Sequence, residues 1–233
     1  MAVDLRGVTT VLLPGTGSDD HYVYRAFSGP LRGAGAVLVT PPPQPGRLID
    51  GYVSALDAAA RAGPIAVGGV SIGAAVAVAW ALTHADKAVA VLAALPAWAG
   101  APEEAPAALA ARHTAAQLRA DGLEATTGQM RASSPAWLAD ELARSWRAQW
   151  PQLPDAMDEA AAHVAPDHTE LARLAAPMGV AAAVDDPIHP LRVGQEWVDA
   201  APRAALRTVT LDQIGSDPAA LGAACLAALA DVD

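Results

Sequence analysis

Six short apolar runs, most of them separated by helical patterns, constrain the fold of this chain more than any other feature. The runs cover residues 9–13, 36–40, 65–70, 88–95, 179–184 and 206–211. Between them, Leu48, Tyr52 and Leu56 share the spacing of one helix face. Asp217 and Pro218 are typical of a helix start, which predicts a last helix over residues 218–229. Alternating strands and helices predict the α/β class, with a mostly parallel sheet of about six strands flanked by helices.

Residues 97–176 break the alternation, because no convincing strand occurs there. The positions of prolines and apolar residues predict helices instead, near residues 106–120, 123–131, 136–150 and 154–163. We therefore predict a core formed by residues 1–96 and 177–233, with residues 97–176 as a helical cap insertion.

The insertion is rich in tryptophan. Four of the six tryptophans lie in it, namely Trp98, Trp137, Trp146 and Trp150. They either attach the insertion to the core or line an apolar pocket, since ligand pockets are mostly apolar. On the second interpretation, Trp98 is a possible substrate contact.

Residues 69–73 read Gly-Val-Ser-Ile-Gly and stand between the third apolar run and an Ala-rich helical stretch. Small residues two positions before and after a serine let the backbone turn sharply from strand to helix. The hydroxyl then stands exposed above the carboxyl edge of the sheet, which is the position of a nucleophile. Without that context the pattern is weak, because Gly and Ser are common. In this context it predicts Ser71 as the nucleophile, the alternative being a buried glycine-rich turn.

Two further loops at strand ends carry candidate groups. Residues 13–21 read Leu-Pro-Gly-Thr-Gly-Ser-Asp-Asp-His, a glycine-rich loop without the spacing or lysine of a phosphate-binding loop. We expect Thr16 N–H to join Ile72 N–H in an oxyanion hole, although a plain turn is the alternative. Residues 184–190 read Val-Asp-Asp-Pro-Ile-His-Pro and offer a carboxylate to orient a base, or to cap a turn.

Composition and residue spacing exclude several classes of binding partner, location and cofactor. A net charge of −10 argues against nucleic acid. The one cysteine, Cys225, permits no internal disulfide and is interpreted as a core residue. We find neither a secretory signal nor an apolar run that could span a membrane, so a cytoplasmic protein is expected. The histidine spacing shows no metal pattern, and no cofactor is expected. The oligomeric state is left open.

With these features, the chain resembles the α/β-hydrolase family of serine hydrolases and esterases over nearly all of its length. The glycine loop is similar to the family's oxyanion segment, with Pro14 where the family usually has His. Residues 69–73 resemble the family's nucleophile elbow, and residues 97–176 occupy the slot of its helical cap. The resemblance implies Ser71 as nucleophile and Asp186, rather than Asp185, as the acid. The first two strands of the family's sheet are missing.

The chain departs from the family at the base. The family carries a histidine between the last strand and the last helix, and Ser216 occupies that position here. Either a histidine was replaced by mutation, or hydrolysis was lost naturally, or another histidine serves. If Ser216 replaces the base, Ser216→His should raise hydrolysis at least about a hundredfold. His21 and His189 are the possible substitutes at this edge of the sheet. We expect Pro187 and Pro190 to limit the reach of His189 toward Ser71.

The function expected from the sequence is hydrolysis or transfer of an acyl group from a small carboxylic ester or thioester. Ser71 would attack the carbonyl, Thr16 and Ile72 would bind the oxyanion, and Asp186 would orient a base. Activity is expected to be impaired, because Ser216 stands at the base position. The alternative is a non-hydrolytic homologue, either a ligand-binding protein or a lyase or isomerase that uses the same pocket. A purely structural domain is disfavoured by three motifs in the family's order.

Overall fold

The computed structural model describes residues 3–232, and within them the chain forms one sheet with six parallel strands. The strand order is β2-β1-β3-β4-β5-β6. The strands are β1 (Thr9–Leu13), β2 (Val37–Val39), β3 (Ile65–Val70), β4 (Ala88–Ala94), β5 (Met178–Ala183) and β6 (Ala204–Val209). Every apolar run of the sequence therefore forms a strand, with shifts of one or two residues at several ends. The predicted α/β class is confirmed.

Helices connect consecutive strands, and two further helices follow the last strand. They are α1 (Asp20–Gly33), α2 (Leu48–Ala60), α3 (Ile72–Thr83), α4 (Pro106–Ser133), α5 (Ala136–Gln149), α6 (Leu153–Ala162), α7 (His168–Leu171), α8 (Leu191–Ala200), α9 (Leu211–Ser216) and α10 (Ala219–Ala230). Helix α10 begins one residue later than predicted, and Asp217 Oδ1 accepts a hydrogen bond from Ala219 N at 2.9 Å. No helix within residues 3–232 has the length and apolar character needed to cross a membrane.

The inner strands of the sheet are buried on both faces, as expected for parallel strands, whereas the edge strands β2 and β6 are partly exposed. Apolar residues of α1 and α10 pack on one face, and those of α2, α3 and α8 pack on the other. Strand β3 shows this most fully, because all six of its residues are buried. Cys225 of α10 is fully buried, which agrees with a core residue, and this burial raises the pKa of its thiol.

The strand order reverses between β1 and β3. The chain leaves β1 to add β2 on one side, and then returns to add β3 on the other. Ligands of open parallel sheets bind at such a reversal, beyond the carboxyl ends of the strands. Leu13, the last residue of β1, pairs with Gly69, so the glycine loop and the Gly-Val-Ser-Ile-Gly turn emerge side by side at this point.

Four helices, α4 to α7, occupy the chain between β4 and β5; the short helix α7 was not predicted from the sequence. Gly122 adopts non-helical angles (φ 79°, ψ 173°) and divides α4 into the two predicted segments. Glu159 of α6 accepts hydrogen bonds from Leu48 N at 2.8 Å and Ile49 N at 2.9 Å. Its carboxylate therefore accepts from the first N–H groups of α2, which have no acceptor within the helix. A negative charge is also favourable at the N-terminus of a helix. The division into core and cap stays a prediction.

Candidate active site

Ser71 lies at the turn from β3 into α3, the place that the sequence indicated. Its backbone angles are φ 55° and ψ −117°, a conformation that costs a non-glycine residue of order 1–3 kcal/mol. The turn is held by hydrogen bonds, because Ser71 N donates to Ala94 O at 2.9 Å and Ala74 N donates to Ser71 O at 3.0 Å. Contrary to the exposed hydroxyl expected from the sequence, the residue is only 7% exposed.

The glycines on either side of Ser71 are required by close backbone contact. A Cβ atom at Gly69 would lie 2.4 Å from Leu13 O, and one at Gly73 would lie 2.3 Å from the same oxygen. Both distances are far inside van der Waals contact, so no side chain fits there without moving the end of β1. The two glycines therefore bring the glycine loop against the serine.

His189 links Ser71 to Asp186. His189 Nε2 lies 3.0 Å from Ser71 Oγ, and His189 Nδ1 lies 2.8 Å from Asp186 Oδ2. An ionised carboxylate only accepts hydrogen bonds, so Nδ1 carries the proton and donates it to Asp186. Nε2 of the neutral ring is then free to accept the hydrogen bond of the Ser71 hydroxyl. This arrangement of nucleophile, base and orienting acid is the one required to activate a serine.

The expectation that two prolines would keep His189 away from Ser71 is wrong. Asp186 Oδ1 accepts hydrogen bonds from Ile188 N at 2.8 Å and His189 N at 3.2 Å. An aspartate that bonds the backbone two and three residues ahead closes a tight turn, and a proline inside that turn presets its backbone. The turn folds His189 back over Asp186, so Pro187 helps to place the imidazole.

The Asp186 carboxyl is 8% exposed, and its hydrogen bonds control its ionisation. Burial by itself raises the pKa, but the hydrogen bond and the charge of His189 and the two backbone N–H groups together lower it below its ordinary value of 3.8. The ionised form is therefore the stable one at neutral pH, which is the form that orients a neutral imidazole.

We expect Asp186→Asn to show how much the ionised Asp186 carboxylate contributes to the free energy of unfolding. A depressed pKa stabilises the folded protein above 3.8, and that stabilisation is lost as the pH falls through the folded pKa. The difference in the free energy of unfolding between wild type and Asp186→Asn should therefore be larger at about pH 6 than at about pH 3. Urea unfolding at both pH values measures it. An equal difference at both would contradict a depressed pKa.

The candidate oxyanion donors lie on both sides of Ser71. Ile72 is the first residue of α3, and the first N–H groups of a helix have no acceptor within it. The positive end of the helix dipole adds to their attraction for a negative oxygen. Thr16 follows Gly15, and a Cβ atom at Gly15 would lie 3.5 Å from Ser71 Cβ. These positions suit Thr16 and Ile72 N–H, whose role stays a prediction.

Ser216, the expected base position, is not joined to this hydrogen-bonded chain. It ends helix α9 with its side chain exposed. Sequence reasoning interpreted this segment as a loop and missed α9. Thr210 and Gln213 form a reciprocal cap, with Gln213 N donating to Thr210 Oγ1 at 3.1 Å. The spacing Thr-x-x-Gln is typical of a helix start, so it could have revealed α9 in the sequence.

No hydrogen bond within the described residues joins the other candidate side chains to Ser71. His21 is exposed in the first turn of α1, and no hydrogen bond within residues 3–232 joins it to Ser71. Trp98 is 6% exposed, and its Nε1 donates to His163 O at 3.2 Å. That bond lies within the cap. Trp98 also belongs to the buried apolar cluster that residues of α2, α3 and α8 form, which supports the first of the two interpretations for this tryptophan. Asp185 Oδ1 accepts from Leu211 N at 2.9 Å and so caps α9 rather than orienting a base.

No group of three or more His, Cys, Asp or Glu side chains is placed to hold a metal ion in the part of the chain that the structure describes.

Comparisons with solved structures support the fold described above. No protein-family model and no curated protein matches the sequence. A structure from a study of carboxylesterases of Nitrososphaera gargenis has a TM-score of 0.70 at 15% identity, over 91% of this chain and 85% of that one. A hydrolase from Oleispira antarctica has a TM-score of 0.69 at 14% identity, over 88% and 84% of the two chains.

An enol-lactonase from Burkholderia xenovorans LB400 has a TM-score of 0.64 at 19% identity, over 89% of this chain and 84% of that one. Identities this low establish the fold and leave the reaction open. The parallel sheet, the strand–turn–helix at Ser71 and these likenesses show that the chain has the α/β-hydrolase fold.

Proposed function

We propose that this protein is a serine hydrolase that cleaves small carboxylic esters or thioesters. The observation that carries the proposal is the hydrogen-bonded chain from Ser71 through His189 to Asp186. The solved structures of similar fold include proteins described as a hydrolase, carboxylesterases and an enol-lactonase, which supports the same class of reaction.

The chemistry follows from the geometry. Ser71 Oγ attacks the carbonyl carbon while its proton moves to His189 Nε2, and Asp186 stabilises the imidazolium that forms. The carbonyl oxygen becomes an oxyanion near the amides of Ile72 and Thr16. The intermediate collapses as His189 returns the proton to the leaving alcohol or thiol. This leaves an acyl group on Ser71, which water releases with His189 again acting as base.

The non-hydrolytic alternative has lost its main support. It rested on the missing histidine at position 216, and His189 now offers a base within hydrogen-bonding distance of Ser71. The same bond removes the reason to expect impaired activity.

Covalent chemistry at Ser71 gives the direct test. With p-nitrophenyl acetate we expect a burst of about one p-nitrophenol per chain before steady turnover, because the activated ester should acylate Ser71 faster than water releases the acetyl group. Mass spectrometry of the quenched protein should find the acetyl group on the peptide that contains Ser71. Ser71→Ala is the control and should show neither burst nor acetylation. Turnover by wild type that persists undiminished in Ser71→Ala would reject the serine mechanism.

A further inference from the structure

Three consecutive residues of the glycine loop contact helix α5 of the cap. Gln149 Nε2 donates to Ser18 O at 2.9 Å. Arg144 binds both carboxylate oxygens of Asp19, with Nη2 at 3.0 Å from Oδ1 and Nη1 bonded to Oδ2. Gly17, the residue before Ser18, packs against Trp146 of the same helix, and a Cβ atom at Gly17 would lie 2.8 Å from Trp146 Nε1.

The other end of the same loop rests on the nucleophile. A Cβ atom at Gly15 would lie 3.3 Å from Val70 O and 3.5 Å from Ser71 Cβ. Ser18 N donates to Gly15 O at 3.0 Å, which closes a turn around Thr16. Thr16 therefore lies between a contact with Ser71 on one side and three contacts with α5 on the other.

The contacts between the glycine loop and α5 resist displacement, because Asp19 and Gln149 are buried and each makes a second hydrogen bond. Asp19 is 8% exposed and Gln149 is 6% exposed, so breaking either bond costs a buried polar group one of its hydrogen-bond partners. Asp19 Oδ1 also accepts from Tyr22 N at 3.0 Å, which ties the loop to the start of α1. Gln149 Nε2 also donates to Ser145 Oγ at 2.7 Å, which fixes its side chain on the helix.

Glu141 extends the ionic contact to the core. It accepts from Arg144 Nη2 at 2.9 Å and also pairs with Arg25 of α1. The guanidinium of Arg144 is therefore held between two carboxylates. Burial raises the pKa of Asp19, but the hydrogen bond and charge of Arg144 and the amide of Tyr22 lower it below the ordinary value, so the pair stays ionised at neutral pH.

We propose that Arg144 and Gln149 are positioning residues that fix the glycine loop, so that Thr16 N–H meets the oxyanion formed at Ser71. The proposal rests on the proposed hydrolase function and assigns the cap helix α5 a part in the chemical step. An oxyanion donor acts only when it is fixed in advance at the place where charge develops. Loosening the loop should therefore lower kcat and leave KM for a small ester nearly unchanged.

The test compares Arg144→Gln and Gln149→Leu with a matched control, Arg119→Gln. Arg119 also bridges two carboxylates, those of Asp155 and Asp158 at 2.7 and 2.6 Å, but all three residues lie in the cap. We expect kcat for p-nitrophenyl acetate to fall about 10- to 100-fold in the first two variants, less than the cost of deleting a donor. Arg119→Gln should stay within about twofold of wild type, because exposed ion pairs contribute little. Arg144→Lys, which keeps the charge, should recover part of the loss.

Amide hydrogen exchange of residues 15–19 gives a second readout that needs no turnover. Exchange should be faster in Arg144→Gln and Gln149→Leu than in wild type and Arg119→Gln, all checked for native circular dichroism. If wild type neither hydrolyses the ester nor is acetylated at Ser71, the proposed function fails. The exchange rates of the glycine-loop amides then decide by themselves whether α5 holds the loop in place. If wild type is active and both variants match Arg119→Gln, or raise KM with kcat unchanged, the positioning role is overturned while the hydrolase stands. Unchanged exchange in both variants overturns it as well.

Discussion

Replacing His189 by alanine is expected to lower kcat for an activated ester about 10⁴- to 10⁶-fold, a loss equal to that of Ser71→Ala. The two side chains act as a unit, because the hydroxyl of Ser71 attacks only as His189 Nε2 takes its proton. Losing either member therefore leaves only the contributions of substrate binding and the oxyanion donors. Steady-state kinetics of both single variants and the double variant measure this, and the double variant should be no slower than either single one.

Ser216→His is the matched control for this prediction. Its side chain lies exposed at the end of α9, outside the hydrogen-bonded chain of Ser71, His189 and Asp186. We expect the activity of wild type to be unchanged, and the activity of His189→Ala not to be restored. A hundredfold gain in either background would return the base to position 216. A loss in His189→Ala that is much smaller than in Ser71→Ala would show that another group takes the proton.

Gly73→Ala is expected to lower the free energy of unfolding by about 3 kcal/mol or more, at the upper end of what overpacking costs. The added methyl group would lie 2.3 Å from Leu13 O and 2.7 Å from Pro14 O. Backbone atoms cannot rotate away, so either β1 or the start of α3 must move. Urea unfolding followed by circular dichroism measures the loss, and ester hydrolysis should fall with it, because the glycine loop and Ser71 separate.

Gly128→Ala provides the comparison, since it makes the same chemical change inside helix α4. A Cβ atom at Gly128 has no heavy atom within 4 Å. Alanine has the higher helix propensity, so this variant should gain roughly 0.5–1 kcal/mol. If Gly73→Ala proved as stable as wild type, the close packing of β1 against the serine turn would be refuted.

The sequence predicted the parts of the site that depend on local pattern. The Gly-Val-Ser-Ile-Gly spacing indicates a sharp turn wherever a strand precedes it and a helix follows, and Ser71 lies at such a turn. The apolar runs form parallel strands of one sheet, so the loops at their carboxyl ends meet at one edge of the sheet. The neighbouring positions of the glycine loop, Ser71 and Asp186 follow from this rule.

Prediction failed where a helix was taken for a loop. The resemblance directed attention to position 216, and the segment before it was interpreted as the family's histidine loop. Thr210 and Gln213 instead start α9, and Asp185 caps the helix from another strand end. A Cβ atom at Gly215 would lie 2.3 Å from Trp137, so this segment packs against the cap. The capping pair is readable in the sequence, whereas the contact with Trp137 is not.

The sequence by itself determined the α/β class, the positions of the six strands to within two residues, and the serine turn. Each of these depends on residues that lie close together along the chain. Only the tertiary structure decided which histidine meets the serine. Ser71 and His189 are 118 residues apart, and they meet because Asp186 closes a turn through backbone N–H bonds whose geometry no spacing reveals. The contacts of Arg144 and Gln149 with the glycine loop span 125 and 131 residues. Such contacts depend on where the cap helix packs, which is set by the burial of its apolar residues, Leu142 and Trp146 against α4 and α6 and Trp137 against the core.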